Sequence, residues 1–174
     1  FVTSVVELSP AECPYDDPLK VYQAVARRVT TAPRAALAAP NYGLGDLLRS
    51  HLDDLRDAAE EAARGRGEAQ VERAAQAELD RWLDRTVGRS ACESHSFRQA
   101  VVELGRAYLS GDRARERTLE AWLLGEPVPI KEVRPYGVYE ALDRSNGFTM
   151  LRCLTQMVVA LGLPGTALLF DEAE

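Results

Sequence analysis

Two short apolar runs near opposite ends of this 174-residue chain constrain its fold more than anything else in it. The later run, Thr166-Ala167-Leu168-Leu169-Phe170, follows a Gly162-Leu163-Pro164-Gly165 turn and ends in Asp171-Glu172. The earlier one, Val2 to Leu8, is β-branched and bounded by Ser9-Pro10. Both have the length and the flanking turn formers of short buried strands. The sequence between them reads as helical. Two strands of one sheet joined by a helical crossover run parallel, with a right-handed connection. Such a crossover needs only a dozen or more residues plus its helix, and the gap here is far longer. Long structureless loops are uncommon in compact domains, so the excess predicts a helical insertion of roughly 100 residues, from Pro33 to Gly137. The expected fold is mainly α with a small parallel β element. Its parts are a strand and helix at 1–32, a helical block at 33–137, and a helix and strand at 138–174.

The helices announce themselves by their caps and stripes. Asp17-Pro18 has the N-cap and first-turn residues of a helix start, and Leu19, Tyr22, Val25, Ala26 and Val29 then fall on one face. Pro33, Pro40 and Asn41-Tyr42-Gly43 mark a connection. Leu48, Leu52, Leu55, Ala59 and Ala62 form a narrow seam, broken by Gly65-Arg66-Gly67. Val71, Ala75, Leu79, Trp82 and Thr86 make a second stripe, so the pair predicts an antiparallel helical hairpin. Ser96 with Gln99 resembles a capping box, opening a helix with Phe97, Val101, Leu104 and Tyr108 on one side. A further helix carries Leu119, Trp122 and Leu123 and ends at Gly125. Pro127 and Pro129 mark extended chain, and Tyr136 to Leu142 reads as a short helix. Ser145 or Asn146 caps the last helix, whose apolar positions are Phe148, Leu151, Leu154, Met157, Val158 and Leu161.

Composition excludes several classes. An apolar fraction of 46% and a charged fraction of 28% are those of an ordinary globular domain. No apolar run approaches the roughly 20 residues that span a bilayer, and there is no basic-then-apolar leader, so the expectation is a cytoplasmic protein without membrane contact. A net charge of −6 argues against this chain alone wrapping a nucleic-acid backbone. Cys13, Cys92 and Cys153 are odd in number and widely spaced, which reads as reduced thiols. Cys92 and His95 have a C-x-x-H spacing, but a zinc site needs two more ligands, and only His51 and the distant cysteines remain.

The chemistry sits in Asp171 and Glu172. Open α/β sheets bind ligands at the carboxyl ends of their strands. In a P-loop ATPase a strand of this pattern, the Walker B strand, delivers an aspartate beside nucleotide-bound Mg²⁺, and the next glutamate polarises the attacking water. The bland reading is a strand terminus solvated by two acids. The quartet Asp171-Glu172-Ala173-Glu174 also invites comparison with DEAD-box helicases. Their fourth residue is Asp or His, and their motif spacing leaves no room for so long a helical block.

Several segments, in order along the chain, carry a family resemblance. They are Val5-Val6-Glu7-Leu8-Ser9-Pro10, Leu19-Lys20-Val21-Tyr22-Gln23-Ala24-Val25, Trp122-Leu123-Leu124-Gly125-Glu126-Pro127, Tyr136-Gly137-Val138, and Gly162 through Glu174. Together they resemble the P-loop ATP-binding domain of bacterial phage-exclusion (BREX) systems. The resemblance implies an AAA-like, additional-strand ATPase core carrying a helical insertion. It also implies a role in phage restriction, with other defence proteins and DNA as partners of the parent protein. Asp171 would then hold Mg²⁺ through water, and Glu172 would be the catalytic base.

A Gly-rich loop ending in Lys-Ser/Thr is absent from this sequence. The expectation is an interior piece of an ATPase, holding Walker B but not Walker A. ATP and Mg²⁺ belong to the complete protein, and the chain alone should neither bind nor hydrolyse ATP. The alternative is a non-catalytic helical interaction module docking through the hairpin at Leu44 to Val87. Two strands with open edges also predict a homo-oligomer, or pairing with strands of a partner.

Overall fold

The computed structural model describes residues 2–8, 13–31, 43–63 and 67–172. Ser9-Pro10, the connection around Pro33 and Pro40, the Gly65-Arg66 break and Ala173-Glu174 lie outside the described residues. The fold is mainly helical with one small sheet. In chain order the elements are β1 (Val2–Leu8), α1 (Pro18–Arg28), β2 (Thr30–Thr31), α2 (Gly43–Ala62) and α3 (Glu68–Trp82), with a π-turn at Leu83–Val87. After it come α4 (His95–Ser110), α5 (Arg113–Leu123), α6 (Ile130–Val133), a 3₁₀ turn at Arg134–Tyr136, α7 (Gly147–Ala160) and β3 (Thr166–Glu172).

The sheet order is β2-β1-β3. The two expected strands, β1 and β3, are adjacent and parallel. β2 is an addition: Thr30 and Thr31 turn back after α1 and pair antiparallel with Thr3 and Val2. Val2, Ser4 and Val6 face the core, and Ser4 Oγ donates to the Val25 carbonyl of α1 at 3.3 Å. Arg28, at the end of α1, donates through Nη1 to the Val5 carbonyl at 3.3 Å. It thereby satisfies a strand oxygen beyond the reach of the short β2 pairing.

α1 begins where its sequence says. Asp17 is the N-cap, with Oδ1 accepting from Leu19 N and Lys20 N, and Pro18 opens the first turn. Its buried stripe is Val21, Tyr22, Val25 and Ala26. Each of the two valines contributes roughly 1.5–3 kcal/mol by leaving water. α7 lies against α1, and the approach is so close that Gly147 leaves no space for a Cβ beside Pro18. One continuous core joins β1, α1, α2, α3, α4, α5 and α7, with Trp122, Tyr22 and Phe97 its largest fully buried side chains.

α2 and α3 form the expected antiparallel hairpin. The His51 and Trp82 rings lie 4.7 Å apart near its base. Leu44, Leu47, Leu48, Leu52, Leu79 and Leu83 are buried there, whereas Arg56 through Ala62 is part-buried or exposed. The seam therefore packs into the common core only along its first half. Arg49 ties the hairpin to α5 through Glu116 at 2.8 Å and Glu120 at 2.9 Å.

Three local expectations are corrected. α4 is capped by Ser94, whose Oγ accepts from Phe97 N at 3.1 Å, while Ser96 Oγ accepts from Tyr139 N at 3.0 Å. Tyr136 to Leu142 does not form a helix; a 3₁₀ turn ends at Gly137, whose φ of 77° suits a residue without a Cβ. Phe148 is 49% exposed, and the buried stripe of α7 runs through Met150, Cys153, Leu154, Met157 and Val158.

Candidate functional site

The site is the carboxyl end of the parallel pair. Val2 N donates to the Gly165 carbonyl at 2.9 Å, which aligns the two strands at their start. From there the register runs unbroken from Val2 opposite Thr166 to Leu8 opposite Glu172. α7 feeds β3 through a turn in which Gly162 adopts φ 77° and Leu163 N donates to the Val158 carbonyl. The chain thus delivers Asp171 and Glu172 to the same end of the sheet as Glu7 and Leu8.

Alternation along the strands puts Val5, Glu7, Leu169 and Asp171 on the face opposite the core. That face is open among the described residues: Val5 is 53% and Leu169 57% exposed, and Glu7 and Asp171 are both exposed. β3 was expected to be buried. Instead it is an edge strand of the described sheet, and α1 covers one side of that sheet, with α7 packed against α1. Parallel sheets are normally covered on both faces, so this is half of the usual layering.

Asp171 makes no hydrogen bond or ion pair among the described residues, and its register partner is another carboxylate, Glu7. Like charges at directly opposed positions repel. A hard cation relieves that repulsion and takes carboxylate oxygens by preference, so the donor chemistry fits Mg²⁺. Mg²⁺ commonly keeps several waters and takes one or two carboxylates plus phosphate oxygens. Among the described residues no group of three or more His, Cys, Asp or Glu is placed to hold a metal alone.

The other segments singled out in the sequence are brought together away from this end. Tyr22 Oη donates to the Leu123 carbonyl, and Gln23 Nε2 donates to the Gly125 carbonyl at 2.6 Å. Trp122 Nε1 donates to the Glu140 carbonyl at 3.0 Å. Gly125, at φ 75°, packs so close that a Cβ would meet Gln23 Cγ at 2.9 Å. The Leu19–Val25 and Trp122–Pro127 segments therefore lock α1 to α5. Burial pushes the Tyr22 hydroxyl far above its ordinary range, so it is a permanent donor.

The candidate zinc residues are dispersed. His95 Nδ1 lies 3.4 Å from Arg98, and the His51 ring packs at a tilt against Trp82. Cys92 meets Cys153 instead, with both sulfurs on the backbone of Ser94. Sequence reasoning missed this thiol pair, because nothing in the spacing of two distant cysteines signals it.

A family model described as "BREX system ATP-binding protein BrxC/D" matches residues 1–174. No curated protein and no solved structure matches the chain.

Proposed function

The chain belongs to the family of BREX-system ATP-binding proteins, and from that premise we propose that it supplies the Walker B half of an ATP-hydrolysing site. The observation that carries this reading is the in-register parallel pairing of β1 with β3, which ends at Glu7–Asp171 and Leu8–Glu172. Bound Mg²⁺ would neutralise phosphate charge as the terminal phosphoryl group is transferred. Asp171 would hold that ion through water, and Glu172 would orient the lytic water and take its proton.

The phosphate grip has to come from elsewhere in the complete protein. Both lysines, Lys20 and Lys131, are followed by Val21 and Glu132, so neither closes a phosphate-binding loop. In P-loop proteins nucleotide affinity rests heavily on the backbone amides and lysine of that loop. The helical block from 33 to 137 is, on this reading, an insertion carried by the nucleotide-binding core. The parent acts in the cytoplasm, with other phage-defence proteins and DNA as partners. Titration calorimetry tests the division of labour: ATP–Mg²⁺ binds the complete protein and gives no heat with this chain. Micromolar binding by this chain would refute it.

A second reading, a helical interaction module, is favoured by the outer half of the α2–α3 hairpin. Arg56 through Ala62 and Glu72 through Ala74 are part-buried or exposed and rich in charge. A polar arm of this kind serves assembly and is compatible with the first reading.

A further inference from the structure

Cys92 and Cys153 are far apart in sequence and meet inside the fold. The Cys92 sulfur lies 3.5 Å from the Ser94 carbonyl oxygen, and the Ser94 N–H donates to the Cys153 sulfur at 3.3 Å. The polar atoms of one residue therefore bracket both sulfurs and hold the two thiols as neighbours. Both are free, with Cys153 fully buried and Cys92 only 4% exposed. Cys13, the third thiol, belongs to the segment before α1.

The cover over the pair is thin. Cys92 sits in an irregular stretch between the π-turn and α4, flanked by exposed Ala91 and Glu93. That stretch is held chiefly by side chains: Arg98 Nη1 donates to the Cys92 carbonyl at 3.2 Å, and Glu93 N donates to Gln156 Oε1 at 3.4 Å. Segments with few regular backbone bonds open locally at low cost. A small oxidant therefore has a route to sulfur without global unfolding.

We propose that Cys92 and Cys153 form an oxidisable dithiol that closes to an intramolecular disulfide on exposure to peroxide. The sulfur of Cys153 attacks one peroxide oxygen; the S–O bond forms, the O–O bond breaks, and the departing hydroxide takes the proton given up by the Cys153 thiol and leaves as water. Sulfur gives up two electrons and peroxide is the oxidant. The Cys92 sulfur then attacks the Cys153 sulfenic acid. The S–S bond forms, the S–O bond breaks, and hydroxide leaves with the Cys92 proton as a second water. The assignment of nucleophile follows from the surroundings of the two sulfurs. The neighbouring Cys92 thiol and the Ser94 N–H, which donates to the Cys153 sulfur, lower the Cys153 thiol against the opposing effect of burial, whereas the Cys92 thiol donates to the Ser94 carbonyl. The neighbouring Cys153 sulfur, with burial, pushes the Cys92 thiol up. The product fastens the Cys92 segment to α7, the helix that leads directly into β3.

The test is peptide mapping of the reduced chain after hydrogen peroxide treatment, with remaining thiols alkylated. The expected result is a Cys92–Cys153 linked peptide, an intact mass lower by two hydrogens, and an alkylated Cys13. Cys13→Ser should keep the link. Three alkylated thiols after peroxide, oxidation of Cys153 to sulfinic acid without a link, or a dominant bridge to Cys13 would each overturn the proposal. The wild-type map decides the matter even where Cys13→Ser fails to fold.

Discussion

Glu7 and Asp171 are register partners at the carboxyl end of two adjacent parallel strands. Strand spacing puts their backbones about 4.8 Å apart. They are carried there by a sheet whose covered face is built on α1 and whose open face displays Val5 and Leu169. The same placement that exposes two acids leaves a strand edge unpaired among the described residues, and each feature has a measurable consequence.

The open edge of β3 predicts self-association. Strand backbone that is unpaired among the described residues and flanked by exposed Leu169 and Phe170 is a template for another strand. Light scattering should show a mass above the monomer that rises with concentration, and Leu169→Lys should lower it. A strict monomer over a wide concentration range would count against this.

Tyr22→Phe should destabilise the chain by about 1–3 kcal/mol in urea unfolding. The change leaves the Leu123 carbonyl at the end of α5 without its donor, in a site with no solvent exposure at Tyr22. Loss much below this range would mean that the α1–α5 lock is held by packing and Gln23 alone.

Gly147→Ala should also destabilise, by about 1–3 kcal/mol, despite the better helix propensity of alanine. A Cβ there would sit 2.5 Å from the Pro18 carbonyl oxygen and 2.7 Å from Leu19 N, so α7 must move away from α1. An unchanged or raised melting temperature would show that the two helices are not in close contact.

These two locks show what the sequence could and could not disclose. The strands were legible because β-branched and apolar runs between turn formers have few alternatives. The α1 start was legible because Asp17-Pro18 is a purely local signal. Tyr136 to Leu142 misled because its polar groups are satisfied from far away: Tyr139 N donates to Ser96 Oγ, and the Glu140 carbonyl accepts from Trp122. The same long-range bond takes Ser96 away from the cap and leaves that role to Ser94. The acid pair was visible as a motif. The exposure of its strand was not, since an apolar run reads the same whether a second layer covers it or not.

Glu93 offers a pH test. The Arg152 guanidinium donates to its carboxylate at 2.9 Å and holds it below the ordinary value of 4.5. The folded pKa is below the unfolded one, so the pair's contribution is complete above about pH 4.5 and fades as pH falls through the lower folded value. NMR titration of the Glu93 carboxyl should give a midpoint below 4.5, which moves up in Arg152→Gln and, since the pair is exposed, in high salt. A midpoint indifferent to both would contradict the pairing.

The most direct measurement concerns Glu172 in a longer protein that carries the phosphate-binding loop required by the proposed function. ATP binding and ATP turnover should be measured side by side for the wild type and Glu172→Gln. Binding should be unchanged and turnover lowered by about 10²–10⁴-fold, the share a positioned general base supplies. A variant that hydrolyses ATP at the wild-type rate would contradict the role of Glu172 as the base.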